Sequence, residues 1–102
     1  MSVTESAAEA VSAGADLLAR KKRGSVAALD PDGTNVAGHC PLIQLFGDYH
    51  AGLAKLGLDE AGAIGCGFSW PVSGGEDGNA AAYVRELDGA WKRKIRAARG
   101  TA

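Results

Sequence analysis

The sequence predicts an all-α fold, and two helical repeats of apolar residues carry that prediction. In residues 79–100, apolar side chains recur at spacings of three and four, which places them on one face of a helix. These residues are Ala80, Tyr83, Val84, Leu87, Trp91, Ile95 and Ala98. Residues 41–56 repeat the pattern with Leu42, Leu45, Phe46, Tyr49, Leu53 and Leu56. Because each apolar face needs a partner, we expect the two helices to pack as an antiparallel helical hairpin.

The residues at the ends of these two segments suit helix termini. Asn79 is a favourable N-cap, and Gly100 stands where a left-handed residue commonly ends a helix. Pro41 suits the first helical position, and Gly57 suits the position just after the last one. The sequence therefore predicts that the hairpin core spans residues 41–99.

Residues 1–24 predict a weaker, flexible N-terminal helix. Two capping-box patterns within residues 2–9 favour a helix start, and Gly24 ends the segment after a basic run. The apolar face consists of Ala7, Val11, Gly14, Ala15 and Leu18. This face is poor in large side chains, and Gly14 costs about 1 kcal/mol relative to alanine. We expect the helix to add a third layer to the hairpin.

Two connections complete the predicted single domain of residues 1–102. Residues 26–36 surround an Asp-Pro-Asp-Gly turn sequence and fit either a short β-hairpin or a plain loop. Residues 58–78 form a long glycine-rich loop. Within that loop, Asp59 begins an additional helical turn, and Phe68 and Trp70 hold the chain against the helices.

Composition and charge exclude several classes of function. Eleven basic and twelve acidic residues give a net charge of −1, which excludes wholesale attraction to nucleic acid or to an anionic membrane. No apolar run approaches the ~20 residues of a membrane helix, and the N-terminal residues lack a signal-peptide pattern. We therefore expect a cytoplasmic protein without a membrane partner.

No motif in the sequence identifies a catalytic, cofactor or metal site. The soft ligands match the number needed for a zinc site, but their spacing forms no recognised pair. They are His39, Cys40, His50 and Cys66. Cys40 precedes a predicted helix, where the dipole favours a thiolate, so a reactive Cys40 is an alternative to two free, inert cysteines. We expect no enzyme activity, no cofactor and no bound metal.

One short segment resembles a known active site. Residues 66–70 are similar to the Cys-Gly-Ser-Cys-Trp segment of papain-like proteases, but Ser69 stands where that family has its nucleophilic cysteine. The difference removes the group that the chemistry needs, so the resemblance implies no protease activity here.

The sequence favours an interaction or assembly function. A small helical protein rich in alanine and glycine has few large side chains for a deep core, so self-association or docking on a partner protein completes it. The predicted partner-binding residues are Trp70, Phe68 and Trp91, because tryptophan above all is enriched at interface hot spots. In size and helicity the chain is similar to many short proteins of bacteriophages and prophages, although no specific motif supports the similarity.

The alternative function is nucleic-acid binding by an accessory protein. Nine of the eleven basic residues lie in residues 20–23 and 92–99. On the C-terminal helix a basic stripe predicts contacts to phosphate groups. Its residues are Arg85, Lys92, Arg96 and Arg99. In the competing interpretation the stripe is an ordinary helix surface, in which Lys92 and Arg96 are partly paired with Asp88 on the same helix.

Overall fold

The computed structural model describes residues 3–36, 38–70 and 79–100, and the regular elements in these ranges are α-helices. In chain order they are α1 (Val3–Lys21), α2 (Ser25–Ala28), α3 (Pro41–Phe46), α4 (Tyr49–Leu56), α5 (Glu60–Gly65) and α6 (Asn79–Ala98). The prediction of an all-α fold is confirmed. None of the helices in the described part of the chain is long and apolar enough to cross a membrane.

Helices α1 and α6 form the most extensive contact between elements of the described chain. The face predicted for α1 is the buried one, and Val11 and Leu18 lie fully inside the core. On α6 the buried side chains include Leu87, Trp91 and Ile95, which belong to the predicted face. Because α1 also packs on α2, α4 and α5, it is the central helix and not a weak third layer.

Glycine at position 14 allows α1 to approach its neighbours closely. A Cβ atom built on Gly14 would overlap the carbonyl oxygen of Cys66, and it would lie 3.2 Å from Cζ2 of Trp91. The residue that weakens α1 as an isolated helix is therefore the residue that makes its packing possible.

The helix pairing differs from the predicted hairpin because residues 41–56 form two helices. Gly47 adopts a left-handed φ of 83° and ends α3, with its N–H bonded to the carbonyl oxygen of Ile43. Asp48 then begins α4, since its carboxylate accepts a hydrogen bond of 2.9 Å from the N–H of Ala51. The two short helices pack on each other, and α6 makes its main contacts with α1 and α2.

Residues 25–36 form a helix and a turn where the sequence left a β-hairpin as an alternative. Within α2 and its C-cap, Val26 and Leu29 stand three residues apart and are both buried. The helical spacing buries them together, whereas alternating strand positions would place them on opposite faces. Strand-like pairing in this region of the described chain is an isolated bridge between Asn35 and His39.

The predicted long loop contains helix α5 and a return to the core. Asp59 caps α5 by accepting a hydrogen bond of 2.8 Å from the N–H of Gly62, so the predicted helical turn is confirmed and extends to Gly65. Gly67, with a φ of 75°, reverses the chain, and Phe68 enters the core. The rest of the loop, residues 71–78, lies outside the described residues.

Candidate interaction groove

Two of the three predicted partner-binding residues lie in the core. Trp91 and Phe68 are 0% and 1% exposed, and their rings stack with centroids 5.5 Å apart and planes inclined by 18°. The indole Nε1–H of Trp91 donates a hydrogen bond of 2.7 Å to the carbonyl oxygen of Gly67. Trp70 is the member of the three that is partly exposed at the surface.

Trp70 borders a groove that the helix ends and the 66–70 segment form together. The groove, which we call the Trp70 groove, is lined by Val36, Cys40, Ile43, Tyr49, Glu60, Phe68, Ser69 and Trp70. Its volume is about 220 Å³, below the roughly 300–1,000 Å³ of pockets for drug-sized ligands. A groove of this size suits one inserted side chain or a small organic ion.

The groove combines an apolar wall with a polar rim. Val36, Cys40 and Ile43 contribute to the wall. At the rim the hydroxyl of Tyr49 donates a hydrogen bond of 3.0 Å to Oε1 of Glu60. Glu60 is exposed, and its carboxylate has no cationic partner among the described residues. The rim therefore presents a negative charge to solvent beside aromatic side chains.

Two aspartate caps position the polar residues of the rim. Tyr49 is the first residue of α4 and follows the N-cap Asp48, and Glu60 is the first residue of α5 and follows the N-cap Asp59. Sequence reasoning assigned Tyr49 to a continuous apolar face and placed Glu60 within the long 58–78 loop, so it missed the role of both at the groove. The available signal was the Gly47-Asp48 pair, in which a C-cap residue directly precedes an N-cap residue.

The environment of the rim keeps Tyr49 protonated. Burial raises the pKa of the Tyr49 phenol, a hydrogen bond with Ser69 lowers it, and the Glu60 carboxylate raises it again, with a net upward shift. The hydroxyl therefore remains a hydrogen-bond donor toward Glu60 at neutral pH.

Cys40, on the wall of the groove, is held as a thiol. Burial raises its pKa, and this effect exceeds the lowering by the backbone N–H groups of Ile43 and Leu42 at the start of α3. Its side chain is 1% exposed. Both features disfavour the thiolate that a nucleophilic cysteine requires. Cys40 and Cys66 are both free.

We expect both cysteines to react with Ellman's reagent more slowly than free cysteine, and Cys66 to react before Cys40. Burial raises the pKa of each thiol, but Cys66 is partly exposed whereas Cys40 is buried. Time courses of Cys40→Ala and Cys66→Ser variants at pH 8 separate the two rates, and the unfolded chain in denaturant is the reactive control. A Cys40 that reacts as fast as free cysteine would restore it as a candidate nucleophile.

Two members of the predicted basic stripe bind the protein itself. Arg99 donates hydrogen bonds from Nε to the carbonyl oxygen of Ala27, at 3.0 Å, and from Nη2 to that of Leu29, at 2.7 Å. Arg96 forms an ion pair of 3.1 Å with Asp32, with side-chain exposures of 50% and 84%. These contacts join the C-terminal part of α6 to the end of α2 and the turn after it.

The other members of the stripe lie nearer the solvent. Arg85 is exposed and Lys92 is partly exposed. Asp88, which the sequence pairs with Lys92 and Arg96, accepts a hydrogen bond of 2.8 Å at Oδ1 from the N–H of Val36. The structure thus brings Arg96 and Arg99 to the α2 side of the molecule, where they make intramolecular contacts.

Replacement of Arg99 by alanine is expected to lower the free energy of unfolding by about 1 kcal/mol, because two carbonyl groups lose a charged donor. Urea denaturation measures the difference. The matched control is Arg85→Ala on α6, where an exposed side chain is removed and a change within about 0.5 kcal/mol is expected. Equal effects of the two substitutions would contradict a structural role for Arg99.

A second groove, of about 200 Å³, lies between α1 and α6. Small side chains and two cations line it together with Val11: Ala8, Ser12, Ala90, Arg93, Lys94 and Ala97. Unlike the Trp70 groove it contains no aromatic side chain.

Among the described residues, His, Cys, Asp and Glu side chains do not gather in groups of three that would hold a metal ion.

Comparisons with protein-family models, with curated proteins and with solved structures found no match. The candidate function is therefore inferred from the geometry of the chain. Of the two grooves, the Trp70 groove combines a partly exposed tryptophan, an apolar wall and a charged rim.

Proposed function

We propose that this protein is a non-catalytic interaction protein that binds a short segment of a partner protein in the Trp70 groove. The supporting observation is the contrast between the two tryptophans: Trp91 is fully buried, whereas Trp70 is partly exposed beside a cavity. An aromatic side chain next to an unfilled apolar pocket is typical of an interface hot spot. A side chain that enters the groove would bury Trp70 further and cover Val36 and Ile43.

The size of the groove favours a short segment as the binding partner. A cavity of about 220 Å³ accommodates one inserted side chain. The residues that line it are few, so a bound segment would contact only a small part of the protein surface. Interfaces of this kind bury little area and are commonly transient. We therefore expect modest affinity that depends strongly on the single inserted side chain.

Selection from a displayed library of random peptides tests this function. Peptides selected on the wild-type protein are then titrated by fluorescence anisotropy against the wild type, Trp70→Ala and Arg93→Ala. We expect Trp70→Ala to weaken binding about tenfold or more, as hot-spot truncations do. The matched control, Arg93→Ala, changes the other groove and is expected to bind like the wild type.

Circular dichroism of Trp70→Ala establishes that the variant is folded before its binding is compared. Peptides that bind Trp70→Ala as well as the wild type would overturn the proposal, as would a selection that yields no binding peptide. Peptides lost only on Arg93→Ala would move the contact surface to the groove between α1 and α6.

Nucleic-acid binding by the basic stripe stays a sequence-based prediction. Arg96 and Arg99 contact the turn and the α2 end of the protein itself. Binding to phosphate groups would compete with those intramolecular contacts.

A further inference from the structure

The rim of the Trp70 groove carries an available negative charge. Glu60 accepts one hydrogen bond, from Tyr49 to Oε1, and no lysine or arginine of the described residues pairs with it. The neighbouring carboxylates differ, because Asp48 and Asp59 accept hydrogen bonds from backbone N–H groups as helix caps. Glu60 is therefore the rim carboxylate that is open to a ligand.

Aromatic side chains share the groove with this charge. Tyr49, Phe68 and Trp70 line the same groove as Glu60. The face of an aromatic ring attracts an ammonium or guanidinium group, and a carboxylate beside it adds a direct ion pair. The apolar wall in turn accommodates methylene groups. A cationic head on an apolar stem matches both halves of the groove.

The hydrogen bond from Tyr49 distinguishes between the two cationic side chains. Arginine binds a carboxylate best through two parallel hydrogen bonds, which use both carboxylate oxygens. In the groove, Oε1 of Glu60 already accepts the Tyr49 hydroxyl at 3.0 Å. Each carboxylate oxygen accepts more than one hydrogen bond, so the Tyr49 contact restricts the approach of a bidentate arginine without blocking it. The compact ammonium group of lysine needs a single oxygen and is the better match.

We propose that the Trp70 groove binds a lysine side chain of a partner protein, with its methylenes along the apolar wall and its ammonium group at Glu60. This inference rests on the proposed function and names the side chain that the groove recognises.

The test uses a blocked lysine, Nα-acetyl-lysine N-methylamide, and its uncharged counterpart made from norleucine. Each is titrated into the full-length protein while the indole N–H signal of Trp70 is followed by NMR, with Trp70→Phe identifying that signal. We expect the lysine probe to bind about fivefold more tightly than the norleucine probe, the factor expected of an exposed cation site.

Two variants of equal charge change separate recognition from general electrostatics. Glu60→Gln is expected to abolish the preference for lysine, because it removes the charge while keeping the shape of the rim. Glu9→Gln, an exposed position on α1 that does not line the groove, is expected to retain the preference. Loss of the preference in both variants would overturn the proposal.

The remaining outcomes are equally decisive. Equal binding of the two probes, tighter binding of the corresponding arginine probe, or no saturable shift with either probe would each overturn lysine recognition. These results leave the peptide selection unaffected: Trp70-dependent peptides without a common lysine would support the interaction function and contradict this inference alone.

Discussion

Replacement of Trp91 by alanine is expected to lower the free energy of unfolding by about 3–5 kcal/mol. The side chain is fully buried, stacks on Phe68 and donates a hydrogen bond to the carbonyl oxygen of Gly67. Its removal leaves a cavity at the contact of α1, α6 and the 66–68 segment, and it leaves a buried acceptor without its donor. The total free energy of unfolding of a small domain is roughly 5–15 kcal/mol, so the variant is expected to be only marginally folded.

Urea denaturation followed by far-ultraviolet circular dichroism measures this loss. The matched control is Trp70→Ala, in which a partly exposed indole is removed and a loss of less than about 2 kcal/mol is expected. Trp91→Phe is expected to fall between the two, because it keeps an aromatic ring and loses the hydrogen bond. Similar losses for Trp91→Ala and Trp70→Ala would contradict the division between a core tryptophan and a surface tryptophan.

Replacement of Gly14 by alanine is expected to destabilise the protein by about 1–3 kcal/mol, the usual cost of overpacking. Helix propensity predicts the opposite, a gain of up to about 1 kcal/mol. The reversal follows from the packing, because the added methyl group would overlap the backbone carbonyl oxygen of Cys66 and press on Trp91. Neither the rigid backbone nor the stacked indole can yield at low cost.

Gly89 on α6 provides the matched control for this substitution. A Cβ atom there would meet the guanidinium Nη1 of Arg93 at 3.4 Å, and that group is the mobile end of a long side chain. Gly89→Ala is therefore expected to raise the free energy of unfolding by up to about 1 kcal/mol. Thermal and urea denaturation of both variants measure whether each substitution raises or lowers the free energy of unfolding. A stabilising effect of Gly14→Ala would contradict the close approach of α1 to the 66–68 segment.

The candidate groove was predicted only in part. Trp70 was named from its residue type, since partly exposed tryptophan is common at interfaces. Tyr49 and Glu60, which lie eleven positions apart, meet at the rim because the caps at Asp48 and Asp59 start two separate helices. Their approach depends on the turn between α4 and α5, which the C-cap Gly57 and the N-cap Asp59 define.

The local features of the fold were readable from the chain. The buried face of α1, the core residues of α6, the helix start at Pro41 and the left-handed glycines at positions 57 and 100 all agree with the predictions. These features depend on the 3.6-residue period and on hydrogen bonds between residues a few positions apart, so neighbouring residues specify them.

The partners of each helix were settled by the tertiary structure. Gly14 is a defect in an isolated helix and a requirement at the contact with Cys66, and Arg99 reads as a surface cation until Ala27 and Leu29 are found beside it. Such contacts join residues more than fifty positions apart, and they depend on the shapes of faces that meet only after folding. Periodicity shows which face of a helix is apolar, whereas steric fit between whole elements selects the face it packs against.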